Sequence, residues 1–178
     1  MLVVNQLLEH CSRAFGSSGE LYCTEEADTL IAVYPPDRSR GWWTYATLEL
    51  HRTGATECLL YSYRFERELI AHLARVAQQI KETWERKRER LVPGDIFPLS
   101  APIQEESSLD FVIATPADYE EAGFDYFTNG VDVIRMMMLH AIAPSEALFA
   151  QKHGLAALEE LFARAEVNSL DFMRTPAI

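Results

Sequence analysis

Residues 42–90 read WWTYATLELHRTGATECLLYSYRFERELIAHLARVAQQIKETWERKRER, and the fold turns on them. Trp42–His51 (WWTYATLELH) and Glu57–Phe65 (ECLLYSYRF) are dense in aromatic and β-branched residues, which fit a pleated, half-buried surface. The turn residues Arg52-Thr53-Gly54-Ala55 lie between them, so the pair reads as an antiparallel hairpin. Neighbouring residues on a strand point to opposite faces, so one of Trp42 and Trp43 should be core. The other should be exposed or lie under a loop, and Trp42 is taken as a candidate contact residue. From Glu66 to Arg90 the period changes. Leu69, Leu73, Val76, Ile80 and Trp84 recur at helical spacing, forming one apolar stripe. Glu66 and Glu68 at its start and Arg86, Lys87, Arg88 and Arg90 at its end complement the helix dipole. A hairpin feeding a long one-faced helix calls for a sheet with that helix laid across it.

The flanks extend the pattern. Leu2–Phe15 has helical apolar spacing and is ended by Gly16-Ser17-Ser18-Gly19. Thr29–Tyr34 reads as a strand stopped by Pro35-Pro36. Past Pro93-Gly94, Asp95–Leu99 is a short strand, with Pro98 and Pro102 suiting a sheet edge. Leu109–Ala114 is a strong strand. Thr115–Asn129 reads as a long loop mixing carboxylates and aromatics. Val131–Ile142 (VDVIRMMMLHAI) is apolar throughout, as in a strand covered on both faces, with a short helix as the competitor. Pro144-Ser145-Glu146 opens a helix that Lys152-His153-Gly154 closes, and Leu155–Ala165 is the last helix. The fold class is therefore α+β. A mixed, mostly antiparallel sheet of about six strands carries a long central helix, an N-terminal helix and two C-terminal helices.

The 178 residues suit a single domain over 1–178, and 48% apolar with 24% charged residues is an ordinary globular balance. A chain this long buries roughly 70% of its unfolded surface and needs no disulfide or metal to fold. The three cysteines, Cys11, Cys23 and Cys58, have no paired spacing and read as reduced cytoplasmic thiols. MLVVNQLLEH lacks the basic region of an export signal, and no apolar run is long enough to span a membrane. The formal net charge is −11. From Leu91 to Ile134 there is no Lys or Arg, yet the stretch holds nine carboxylates. That argues against nucleic acid, whose phosphates need a basic stripe, and for either a solvated face or a surface that steers a basic partner.

Catalytic signatures are missing. There is no G-x-S-x-G elbow, P-loop, G-x-G-x-x-G or H-E-x-x-H. None of the five histidines pairs with another His or a Cys at metal-ligand spacing. Asp125–Asp132 lacks the carboxylate spacing of a calcium loop and reads as a polar turn with Gly130 at positive φ. Met136-Met137-Met138 reads as core. No catalytic residue, cofactor or metal is expected. The one-signed stretch centres on Asp118–Phe127. There Asp118, Glu120, Glu121 and Asp125 would steer a partner, and Tyr119, Phe124, Tyr126 and Phe127 would anchor it or pin the loop to the core. Asp171 and Arg174 are expected to be structural, with Arg174 tying the C-terminal tail to the domain through a carboxylate or carbonyls.

In order along the chain, these landmarks resemble the suppressor of fused domain over roughly Thr29–Arg174. Gly41-Trp-Trp-Thr-Tyr-Ala-Thr-Leu-Glu-Leu50 is similar to that family's aromatic strand, and Glu57-Cys-Leu-Leu-Tyr-Ser-Tyr63 to the strand that follows. Glu68-Leu-Ile-Ala-His-Leu-Ala-Arg75 resembles its central helix, and Leu91-Val-Pro-Gly-Asp95 its "Gly-Asp" strand entry. Glu106-Ser-Ser-Leu-Asp-Phe-Val-Ile113 resembles its Ser-containing strand. His140-Ala-Ile-Ala-Pro-Ser-Glu-Ala-Leu148, His153-Gly-Leu-Ala-Ala-Leu-Glu-Glu-Leu161 and Asp171-Phe-Met-Arg174 resemble its C-terminal block.

The resemblance implies a SUFU-like fold and a protein-binding module rather than an enzyme. The animal protein sequesters a transcription factor between this domain and a second one, which would be absent here. The connection from His51 to Glu57 is also shorter than in the animal domain. Small bacterial members look like immunity proteins that block a cognate toxin. The resemblance therefore implies an immunity or antitoxin role against a basic toxin domain, for a cytoplasmic monomer or weak dimer. A regulatory binding domain with another partner, and an enzyme with an unrecognised site, are the alternatives.

Overall fold

A computed structural model of the chain describes residues 2–24 and 29–178. Four helices, α1 (Leu2–Phe15), α2 (Arg67–Lys87), α3 (Pro144–His153) and α4 (Leu155–Arg164), pack on one sheet. Its strands are β1 (Glu20–Thr24), β2 (Thr29–Tyr34), β3 (Trp43–Thr47), β4 (Thr56–Ser62), β5 (Ile96–Pro98), β6 (Phe111–Pro116), β7 (Tyr126–Thr128) and β8 (Val133–Ile142). The order is β1-β2-β3-β4-β8-β6-β5, with β7 added to β8. Every pairing is antiparallel except β4 with β8, so the sheet is mixed and mostly antiparallel, as expected.

The sheet has eight strands rather than about six. The two extra strands, β1 and β7, are short. β1 (ELYCT) is at the sheet edge and has no fully buried residue, so it lacks the apolar alternation that betrays a strand. β7 is a three-residue strand inside the expected long loop, paired to β8 through Tyr126, Phe127 and Thr128. The turn joining them contains Gly130 at φ 89°, the positive value expected there.

β8 is the centre of the molecule, and its three methionines show why it carries so long an apolar run. Met137 and Leu139 join the core under α2, with Leu73, Val76, Ile80, Tyr45 and Leu60. Met136 and Met138 face the other way, into the core under α1 with Leu7, Cys11, Phe15 and Phe124. A third cluster seats α3 and α4 on Ile113 and Ile142. A strand covered on both faces has no polar side, which settles the choice between strand and helix.

Two local departures have clear causes. α2 stops at Lys87, three residues before the expected end, because Arg88 takes the left-handed conformation (φ 58°) and donates its N–H to the Trp84 carbonyl. The β3–β4 hairpin forms, but β3 ends at Thr47 instead of His51. The chain there wraps around the Glu57 carboxylate, which is fully buried. It accepts from the Thr47 hydroxyl, from the N–H groups of Leu50 (3.2 Å) and His51 (2.9 Å), and lies 2.6 Å from His51 Nδ1. Thr47 Oγ1 in turn accepts from the Cys58 N–H, so this polar cluster fixes the hairpin connection.

The tail docks as expected. Arg174 makes two bonds to Glu146 (2.7 and 2.8 Å) and one to the Ala141 carbonyl (3.2 Å). Both members of the ion pair are buried, with side-chain exposures of 6% and 0%. Ser107 adds a hydroxyl bond to the Phe172 carbonyl. Asp171 contributes by holding the local turn, its carboxylate accepting from the Met173 N–H at 3.0 Å.

Candidate functional site

α1 and the α3–α4 pair cover the two ends of one sheet face, on β2–β4 and on β6–β8 respectively. The loop 117–125 comes down between them. Its fastening is electrostatic and aromatic. Arg40 forms a fork to Glu120, with Nη2 at 2.9 Å, and reaches Thr44 Oγ1 at 2.9 Å. The guanidinium lies 4.4 Å from the Phe15 ring centroid, 5.1 Å from Trp42 and 5.7 Å from Tyr61. Tyr61 donates its hydroxyl to the same Glu120 carboxylate. Burial, reinforced by Glu120, pushes the Tyr61 phenol well above its ordinary pKa, so it remains a donor. Side-chain exposures of 10% for Arg40 and 4% for Glu120 place this pair inside the protein.

That geometry corrects part of the expected contact surface. Glu120 steers nothing, because its charge is spent on Arg40. Phe124 is 5% exposed, stacked on His10 at 5.0 Å and tilted against Phe15 at 5.2 Å. Phe127 is buried beside it. These residues pin the loop to the core, one of the two roles that the sequence leaves open for its aromatics. The loop's outward face carries Asp118, Tyr119, Glu121 and, beyond the half-buried Asp125, Tyr126. Tyr119 is 46% exposed and Tyr126 50%. The two tryptophans divide between the faces as strand geometry requires, Trp43 against the α2 core and Trp42 against the α1 core. Both are only half-buried, so neither is the fully buried member expected.

From Trp42 the aromatic contacts continue across the face. Trp42 meets Tyr61 at 6.0 Å, Tyr61 stacks on Tyr119 at 6.1 Å, and Tyr119 meets His140 edge-on at 5.6 Å. The row ends at a cavity of about 270 Å³ between α4 and strands β6 and β8. Its lining is largely apolar, with Met138, Leu155, Leu158 and Phe162, and it includes the carboxylates of Asp118, Glu159 and Glu166. Tyr119 is braced by a hydroxyl bond to Ser169 at 2.7 Å. Burial, with Arg174 adding to it, pushes the His140 imidazole down to about 4. His140, Glu159 and Glu166 at the cavity have no local sequence signal. They come from β8 and from α4 with the residues just after it, and only the fold brings them to Tyr119.

No group of three His, Cys, Asp or Glu side chains able to hold a metal ion occurs among the described residues. No helix there is long and apolar enough to cross a membrane. Cys11 and Cys58 are buried, and burial raises both thiols, to about 12 for Cys11. Neither is an activated nucleophile.

The fold and site together define an α+β protein built on one mixed sheet, with helices on both faces and an acidic, aromatic loop set between two of its helical layers. The sequence profile of the Suppressor of fused protein (SUFU) family matches residues 24–175, and the chain belongs to that family. Solved structures share the fold. A SUFU homolog from Neisseria gonorrhoeae FA 1090 superposes with a TM-score of 0.82 at 19% identity, over 100% of this chain and 98% of that one. The Sufu–Fu complex gives 0.68 at 13% identity, covering 98% and 92%. Drosophila Suppressor of Fused gives 0.67 at 12% identity, and there the match covers 96% of this chain but 50% of the fly chain. None of the curated proteins is significantly similar in sequence.

Proposed function

We propose that the chain is a cytoplasmic protein-binding module, a single domain acting as a monomer or weak dimer, that neutralises a basic toxin by direct contact and catalyses nothing. The observation that carries this reading is the loop 117–125, fixed from beneath and charged above. Arg40, Glu120, Phe124 and Tyr61 hold it in one conformation, so a partner meets a preorganised surface and little ordering entropy is lost on binding. Asp118, Glu121 and Asp125 give that surface one sign, in a stretch of 44 residues without a cation. Such a field speeds encounter with a basic protein. Membership of the SUFU family supports a protein partner, as does the existence of a Sufu–Fu complex.

The test is co-expression with a toxin gene from the same locus. The chain should restore growth and co-purify with the toxin in a fixed ratio. Toxicity that persists despite soluble chain, with no co-purified toxin, would refute the reading. Restoration by sub-stoichiometric amounts, with the toxin chemically altered, would show an enzyme instead.

A further inference from the structure

The cavity beside α4 has a polarity that points to one kind of occupant. The Thr115 hydroxyl donates to the Pro116 carbonyl at 3.1 Å, so its oxygen is left to accept from His140 Nε2, 3.0 Å away. The imidazole is neutral near pH 7, and its proton is therefore on Nε2. Nδ1 is a bare acceptor. The Tyr119 and Ser169 hydroxyls are engaged with each other at 2.7 Å. Asp118, Glu159 and Glu166 add three carboxylates, and no Lys or Arg lines the cavity. The nearby Arg174 is already neutralised by Glu146. The site is rich in acceptors and poor in donors, over a floor of Met138, Leu158 and Phe162. At about 270 Å³ it lies at the small end of ligand pockets, the size for one long side chain rather than a cofactor.

We propose that this cavity is the anchor pocket for one arginine side chain of the partner protein, an inference that rests on the protein-binding reading above. The methylene stem packs on Met138 and Leu158. The guanidinium lies among Asp118, Glu159 and Glu166, with the exposed Tyr119 ring as its stacking surface, because the Phe162 ring already carries the Arg174 guanidinium at 5.0 Å. A planar guanidinium with five donors bridges several carboxylates while lying flat on an aromatic face, a geometry that suits it better than an ammonium.

The probe is N-acetyl-arginine amide, titrated into protein with isotope-labelled methionine methyls. Among the described methionines only Met138 lines the cavity. A saturable shift of its methyl signal is expected. N-acetyl-norleucine amide, apolar and uncharged, and the protein variant Glu159→Gln/Glu166→Gln should each weaken the response by about tenfold or more. Ala163→Phe, an exposed change at the mouth, should abolish it without disturbing the fold. No saturable shift with arginine amide would overturn the proposal, and so would an equal response to norleucine amide or to lysine amide. The titration needs no partner, so the two readings fail separately. If a toxin is neutralised as well by Ala163→Phe as by the parent chain, the pocket is not the anchor and the binding reading stands. If arginine amide binds but no basic protein is neutralised, the toxin reading falls.

Discussion

Arg174→Met is the sharpest test of how the C-terminal tail is held. The side chain keeps a comparable length but loses its charge and its two bonds to Glu146. What remains is a carboxylate with 0% side-chain exposure, bonded only to the N–H groups of Ala143 and Ala177, each at 2.8 Å. Stranding one member of a buried ion pair costs about 3–5 kcal/mol. At about 2–4 °C per kcal/mol for a chain of this length, the thermal midpoint should fall by roughly 6–20 °C at pH 7. The pH dependence separates this from lost packing. Burial alone would raise the Glu146 pKa. The Arg174 bonds, then the Ala177 and Ala143 amides, outweigh it and hold the group below its ordinary 4.5. A carboxyl whose folded pKa is depressed contributes stability that is present above the unfolded value and lost as pH falls through the folded one. In Arg174→Met the largest of these lowering contributions is gone, the burial that raises the group stays, and protonation relieves the stranded charge. The gap between variant and parent should therefore be narrower at pH 4 than at pH 7. Replacing both residues, as in Glu146→Leu/Arg174→Met, should recover much of the loss, since an apolar pair can substitute for a buried ion pair. Thermal unfolding followed by circular dichroism at pH 7 and pH 4 measures all three. A loss below about 1 kcal/mol, or a gap that does not change with pH, would mean the pair behaves as an exposed one and the tail is not locked.

Leu73, 1% exposed between α2 and the sheet, should cost about 2–5 kcal/mol when replaced by Ala, read from denaturant midpoints; a value under about 1 would place α2 in solvent. His140 has a folded pKa of about 4 against an ordinary 6.5, so the unfolded chain binds its proton first and stability falls as pH drops from 6.5 to 4. His140→Gln should reduce that slope by about one proton, and an unchanged slope would mean the imidazole is solvated. The exposed change Glu121→Lys, outside the cavity, should slow association with a basic partner and weaken its salt dependence while leaving dissociation nearly unchanged, as followed by stopped-flow mixing at several ionic strengths; a changed dissociation rate with constant association would contradict a steering role.

What could be read from the chain follows the strength of its periodic signals. The α2 stripe and the β8 methionine run are long and strongly patterned, and both are where their spacing puts them. β1 and β7 are short and half-exposed, and three to five residues do not carry a period. The hairpin connection escaped for another reason. Glu57 reads as the polar start of a strand, yet its carboxylate gathers four polar groups around itself, with the Cys58 N–H bonded in turn to Thr47, an arrangement that propensity does not encode. The candidate site was legible as a region but not in detail. A charge count finds the acidic stretch, but cannot tell that Arg40, 80 residues from Glu120, takes one of its carboxylates inward.

That inward carboxylate divides the work of the surface. A loop of four carboxylates held only by its ends would repel itself and sample many conformations, and a partner would have to order it at an entropic cost on each encounter. Burying Glu120 against Arg40 and Tyr61, and Phe124 against His10 and Phe15, removes that freedom before any partner arrives. The charges left outside, Asp118, Glu121 and Asp125, then act from fixed positions, and Asp118 shares the cavity lining with Glu159 and Glu166. Exposed charges act over about a Debye length and set the rate of approach. Residence time depends on desolvated contacts, and those are available at Tyr119, at Tyr126 and in the cavity under α4. Steering therefore rests on Glu121 and Asp125, which do not line the cavity, and anchoring on Tyr119, Tyr126 and the cavity with its Asp118, so each can be changed without dismantling the other.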